Sequence, residues 1–204
     1  MTLNLPYNVL RFKERVFKNV IPYLYGDTLF DSGCGDGEDY VLLSPHFKKI
    51  TASDIKESPR WKERSTPGIS FSVNDGEKLP FPDNSFDTVI EQNMLHHAAS
   101  PEKALQEMVR VSKKRIIVLE CNRYNPIMYL NMVLIQNHQH FTQKRFAQIL
   151  GTAGVKYEMK YFSARCLPVT NKAVIDVSEK IMDLAEKIPF YRPFIEYNLA
   201  ILTK

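Results

Sequence analysis

Acids and glycines crowd one stretch of this 204-residue chain, Thr28-Leu29-Phe30-Asp31-Ser32-Gly33-Cys34-Gly35-Asp36-Gly37-Glu38-Asp39. A short apolar run leads into a carboxylate, then glycines at alternate positions, then an acidic helix start. Glycine permits φ > 0 and lets backbone approach a ligand with no Cβ in the way, so this reads as a ligand-hugging turn between a strand and a helix. Charge discriminates between ligands. A dinucleotide fingerprint, G-x-G-x-x-G, offers a helix N-terminus to a pyrophosphate. Here its last glycine is replaced by Glu38, and Asp31, Asp36, Glu38 and Asp39 together repel a diphosphate and attract a cation. The plainer alternative is a glycine turn whose acids only favour the helix N-terminus.

Further candidate residues follow at the ends of short apolar runs. Lys49-Ile50-Thr51-Ala52-Ser53-Asp54 reads as a strand ending in an acid, one strand-helix-strand unit after Asp31. Such an acid can accept both hydrogen bonds of a ribose diol, or cap a helix ahead of Ser58-Pro59. Ile69-Ser70-Phe71-Ser72-Val73 alternates as a third strand and runs into Asn74-Asp75-Gly76, where Asp75 is either a ligand contact or an ordinary turn acid. A fourth strand ends in Glu91-Gln92-Asn93-Met94-Leu95-His96-His97. Either histidine can serve as a general base, since imidazole titrates near neutrality, or simply pack and cap the next helix.

S-adenosylmethionine carries an ammonium and a sulfonium and no phosphate, which suits the acidic loop. Asp31-Ser32-Gly33-Cys34-Gly35-Asp36-Gly37 resembles the first motif of the class I S-adenosylmethionine-dependent methyltransferases. Leu79-Pro80-Phe81-Pro82-Asp83-Asn84-Ser85-Phe86-Asp87-Thr88-Val89 is similar to the L-P-F-x-D-x-S-F-D-x-V run of their small-molecule group (methyltransferase type 11), which acts on quinone precursors, lipids and sterols among others. The resemblance covers residues 28–163 with good motifs. It implies that Asp31 and the backbone of Gly33, Cys34, Gly35 and Gly37 hold the methionine end, with Gln92 beside it. Asp54 holds the ribose, Ile55 lies against the adenine, and Asp75-Gly76 stands at its edge. His96 and His97 resemble the family's histidine pair after the fourth strand. The Asn/Asp-Pro-Pro-aromatic tetrad of nitrogen-methylating members is replaced by Glu91-Gln92-Asn93-Met94, which argues against nucleic-acid and nitrogen acceptors.

The elements that must position these residues can be read from periodicity. Val9, Phe12, Val16 and Val20 form a helical stripe closed by Pro22, which packs on the sheet or covers the cofactor. Short helices follow at 39–43 and 60–64. Ser100-Pro101 opens a helix with Ser as cap, and Ser112-Lys113-Lys114-Arg115 reads as its basic C-terminus. Arg115–Glu120 is a continuously apolar fifth strand, as a buried parallel sheet requires. Thr142 caps a helix ended by Gly151 and Gly154, and 155–163 and 197–202 are the last two strands. The expected fold is α/β: a doubly wound, Rossmann-like, seven-stranded sheet with helices on both faces. From the family its order is 3-2-1-4-5-7-6 with the last strand antiparallel.

Two segments exceed what this sheet needs. Residues 123–140 include the apolar Ile127–Ile135, which suits a pocket-lining helix or one resting on a lipid surface. Residues 164–195 carry Val174, Val177, Ile181, Leu184 and Ile188 at helical spacing, as a lid over the substrate or an oligomer contact. His138 and His140 alternate as metal ligands can, but no third ligand is near in sequence, so no metal is expected.

Composition bounds the rest. One domain over 1–204 is the simplest reading, and 44% hydrophobic with 25% charged residues is ordinary for a globular protein. A net charge of +4 without a block of like charges does not suggest a nucleic-acid partner. Three scattered cysteines, no secretory leader pattern and no membrane-length apolar run lead to a cytoplasmic expectation. The expected activity is methyl transfer from S-adenosylmethionine, leaving S-adenosylhomocysteine, to a small hydrophobic or lipid-linked acceptor. A non-catalytic cofactor-binding partner and, less well matched to the acidic loop, a nicotinamide-dependent oxidoreductase are the rivals.

Overall fold

The computed structural model describes residues 5–126, 129–130, 134, 140–188, 190–191 and 195–204. Seven strands form one sheet: β1 (Thr28–Ser32), β2 (Lys49–Asp54), β3 (Ile69–Val73), β4 (Phe86–Gln92), β5 (Ser112–Cys121), β6 (Lys156–Phe162) and β7 (Tyr197–Thr203). Their order is β3-β2-β1-β4-β5-β7-β6, as expected. The first five are parallel, and β7 runs antiparallel between β5 and β6. Helices α1 (Tyr7–Val20), α2 (Tyr40–Leu43), α3 (Trp61–Arg64), α4 (Pro101–Val111), α5 (Gln143–Gly151) and α6 (Lys172–Ala185) are the described α-helices.

The central strands are buried on both faces, and side-chain alternation explains their unbroken apolar runs. Leu29, Ile90, Ile117 and Leu119 join a core with Val16, Phe17 and Val20 of α1 and Leu43 of α2. Phe30, Val89, Ile116 and Val118 face the other way, onto Leu105 and Met108 of α4 and Phe146 and Ile149 of α5. The same alternation turns Asp31 toward the α1–α2 side. It turns Glu91 and Glu120 toward the α4–α5 side.

The motif between β3 and β4 is a packing device. Phe30, Phe81 and Phe86 meet pairwise with ring centroids 5.1 Å apart. Arg110 of α4 donates to the carbonyls of Leu79 and Phe81 and pairs with Glu107 and Asp83, clasping the proline turn. Asp87 accepts from the backbone N–H groups of Asp27 and Thr28 and from the Thr28 hydroxyl, and pairs with Lys113.

Two local readings are corrected. Ser112–Arg115 is not a helix end: α4 stops at Val111 and the chain passes directly into β5, its basic side chains engaged by Asp87, Tyr25 and Thr203. Ser100 stands at the N-cap position but its hydroxyl makes no capping bond, and its N–H donates to Glu77 instead. Thr142 does cap α5, accepting from Arg145 N–H at 3.1 Å.

The expected apolar helix 127–135, and His138, fall almost wholly outside the described residues. Helix α6 is present. Its Glu179, Asp183 and Glu186 pair with Arg11 and Arg15 of α1, while Val177, Ile181 and Leu184 face outward, more than half exposed.

Candidate functional site

A cleft of about 540 Å³ opens at the carboxyl ends of β1, β2, β3 and β4, the place where an open parallel sheet receives ligands. It is lined by six of the residues singled out in the sequence: Gly33, Asp54, Ile55, Asp75, Gly76 and His97. Ile55 is 68% exposed, an apolar side chain laid open at the cleft. Asp54 spans loop and cleft, because its Oδ2 accepts from Gly35 N–H at 2.8 Å and so fixes the glycine turn. Asp75 Oδ1 accepts from Glu77 N–H at 2.9 Å, an Asx turn that holds the carboxylate in place.

The glycines divide their work. Gly33 has φ +81°, and a Cβ there would lie 2.3 Å from Met94 Cγ, so the loop can seat itself against Met94 only without a side chain. Gly37 has φ +74°, and its Cβ would meet Phe71 and Tyr40. The loop is further held by Trp61, whose indole N–H donates to Gly35 carbonyl at 2.7 Å while its ring stacks on Phe71 at 5.3 Å. Trp61 and Phe71 were not singled out as site residues; a lone tryptophan opposite a glycine loop was the available signal.

Other predicted residues sit behind the cleft rather than among its lining. Asp31 is buried against α2, accepting from the Tyr40 hydroxyl at 3.0 Å. Burial, with Asp39 nearby, pushes its carboxyl up to about 7. Cys34, Gly35 and Gly37 shape the turn from outside the lining. Gln92 ends β4 one residue beyond the Ser32–Glu91 pairing. Its Oε1 is buried with no hydrogen-bond partner among the described residues.

The charge reading of the loop needs amendment. Glu38 and Asp39 pair with Lys13 of α1 at 3.4 and 2.7 Å, and Arg60, at the N-cap position of α3, and Arg64 at its end approach Asp36 and Glu38. Bases from two helices therefore offset these acids. The cleft lining itself carries three acids, Asp54, Asp75 and Glu77, against one base, Lys56.

Behind His97 lies a buried polar cluster. Glu91 accepts from the N–H groups of Met94 and Leu119 at 2.8 and 3.0 Å, shaping the turn after β4. His96 gives both its backbone N–H and its Nδ1 to Glu120, the latter at 2.7 Å. Burial raises both carboxyls above the usual range, and Glu120 raises Glu91 further. The His96 ring adjoins those of His97 and His140 in tilted contacts, with centroids 4.1 and 4.4 Å away. The two histidines thus part company: His97 faces the cleft, and His96 is buried beneath it.

Residues 30–118 match a family model described as "Methyltransferase domain". The matched stretch runs from β1 into β5 and is similar to methyltransferase domains. Among curated relatives, the demethylmenaquinone methyltransferase of Paenarthrobacter aurescens is 42% identical over 110 residues, 52% of this chain and 44% of that protein. The uncharacterized methyltransferase YcgJ of Bacillus subtilis is 29% identical over 104 residues, 48% of this chain and 41% of that protein. The matches therefore span less than half the length of these relatives. A solved S-adenosylmethionine-dependent methyltransferase from Archaeoglobus fulgidus superposes with a TM-score of 0.69 at 19% identity, over 97% of this chain and 94% of that one, which establishes the shared fold. Among the described residues no helix is long and apolar enough to cross a membrane.

Proposed function

We propose that the cleft binds S-adenosylmethionine and that the chain transfers its methyl group to a small, hydrophobic or lipid-linked acceptor. The observation that carries the reading is the cleft itself, with Gly33, Asp54, Ile55 and Asp75 from three successive strand ends converging on it. The residues fit the cofactor: Asp54 suits a ribose diol, Ile55 an adenine face, and Asp75 its amino edge. Gln92 Oε1, buried and without a partner among the described residues, is an acceptor suited to a cationic donor.

When bound, S-adenosylmethionine supplies an electrophilic sulfonium methyl. The chain's part is chiefly alignment, which is worth about 7–11 kcal/mol for well-oriented reactants. In this reading His97, which lines the cleft, takes the acceptor's proton, whereas Asp31 supports the loop through Tyr40. The acceptor class is supported by the relative named for demethylmenaquinone and by the missing Asn/Asp-Pro-Pro-aromatic tetrad.

Isothermal titration with S-adenosylhomocysteine, with NADH in parallel, tests the cofactor. Stoichiometric binding of the first alone supports the reading, and binding of NADH alone overturns it. Transfer of labelled methyl to a quinol or another hydrophobic hydroxyl acceptor then tests the class. His97→Ala is expected to lower turnover about 10²–10⁴-fold with cofactor affinity retained, and undiminished turnover removes its role as base.

A further inference from the structure

Three residues distant in the sequence meet behind the cleft with the donor set of a transition-metal site. His96 lies in the turn after β4, Glu120 near the end of β5, and His140 just before α5. One ligand-capable atom from each lies within 4.8 Å of the other two. The His96 and Glu120 side chains are 2% and 1% exposed, and His140 is 4% exposed.

We propose that His96, Glu120 and His140 form a binding site for a divalent ion of the zinc class, separate from the cofactor cleft. Two imidazoles and one carboxylate are the three protein ligands of zinc sites that keep a fourth position for water or substrate. Donors on a tetrahedral zinc lie roughly 3.3 Å apart, given bonds of about 2.0–2.1 Å. The His96–Glu120 contact at 2.7 Å is somewhat tighter than this and the 4.8 Å limit is looser. Side-chain shifts of up to about 1.5 Å therefore bring the set to coordination distance.

Charge and support agree with this. Glu91 and Glu120 project to the same face of adjacent strands and are both buried, so a dication beside Glu120 offsets two desolvated carboxylates. The His96 N–H to Glu120 bond holds the carboxylate from one side, and Arg123 donates to the His140 carbonyl at 3.0 Å, fixing that backbone. His97, whose ring adjoins that of His96, lines the cleft, so the site lies one imidazole layer behind the cleft.

The test uses the full chain after dialysis against a chelator, titrated with Co²⁺ as a spectroscopic probe and then with Zn²⁺. The expected result is one ion per chain, with visible d–d bands of a tetrahedral nitrogen–oxygen site that Zn²⁺ abolishes. His140→Ala and Glu120→Gln should each weaken binding at least tenfold, while His46→Ala on the exposed surface leaves it unchanged. Failure of the unmutated protein to bind either ion below about 0.1 mM overturns the proposal without any variant. So do near-ultraviolet thiolate bands, which would place the ion on cysteine, or unaltered binding in both folded variants. S-adenosylhomocysteine titration of the same samples reports on the cleft separately, so loss of one reading does not decide the other.

Discussion

Asp54 serves two partners at once: one oxygen fixes the Gly35 N–H, and the carboxylate still borders the cleft. Asp54→Ala is therefore expected to weaken S-adenosylhomocysteine binding by about 1–3 kcal/mol in calorimetry; unchanged affinity in a folded variant removes the ribose role. Asp87 shows the opposite case, a motif acid with a purely structural duty. Burial works against its charge, but bonds from Lys113, Thr28 and the backbone N–H groups of Asp27 and Thr28 hold its pKa down to about 2. A carboxyl whose folded pKa is depressed contributes stability that is present above its unfolded pKa near 3.9 and lost as pH falls through about 2. Asp87→Asn should lower stability by about 1–3 kcal/mol at pH 7 in denaturant titration. The difference from the unmutated protein should shrink as pH is lowered from about 4 toward 2.

At the scale of elements, α6 is attached to α1 chiefly through charge. Arg15 is the pivot, pairing with Asp183 and Glu186 at 2.7 and 3.0 Å and donating to the Ser163 carbonyl. Arg15 is little exposed, its side chain 11% accessible, so the pairs are screened less than ordinary surface ones. Removing it also leaves acidic partners behind. Arg15→Ala should speed proteolytic cleavage within residues 164–188 several-fold under native conditions, with cofactor affinity unchanged; equal cleavage rates would show that packing of Ile175 and Met182 alone holds the helix. The apolar outer stripe of α6 explains why periodicity signalled this helix so clearly from the sequence. Ile175 and Met182 are the residues this helix buries, and Val177, Ile181 and Leu184 of the apolar stripe are exposed.

For the whole molecule, the cleft joins four strand ends to the loops that follow them, so occupancy should stabilise the fold as a unit. A ligand that binds only the folded state adds about 2.7 kcal/mol when present at a hundredfold excess over its Kd. S-adenosylhomocysteine should therefore raise the melting temperature by several degrees, and NADH should not, a comparison that scanning calorimetry makes directly. Stacked on Phe71 and bonded to Gly35, Trp61 provides a fluorescence report of the same event.

The strand-helix alternation, the glycine turn, the five apolar strands and the sheet order implied by the family motifs were all legible in the sequence, because each depends on local conformational preference or on side-chain period along one segment. So were the cleft residues Gly33, Asp54, Ile55, Asp75, Gly76 and His97, each standing at or just beyond a strand end. Tertiary structure alone decided what happens between segments. It placed Lys13, Arg60 and Arg64 against acids that looked bare in the loop. It separated His97 from its neighbour His96 by the turn of a short helix, sending one to the cleft and the other inward. And it gathered His96, Glu120 and His140 into one buried cluster. Charge compensation and ligand convergence depend on distances across the sheet, and no spacing along the chain encodes them.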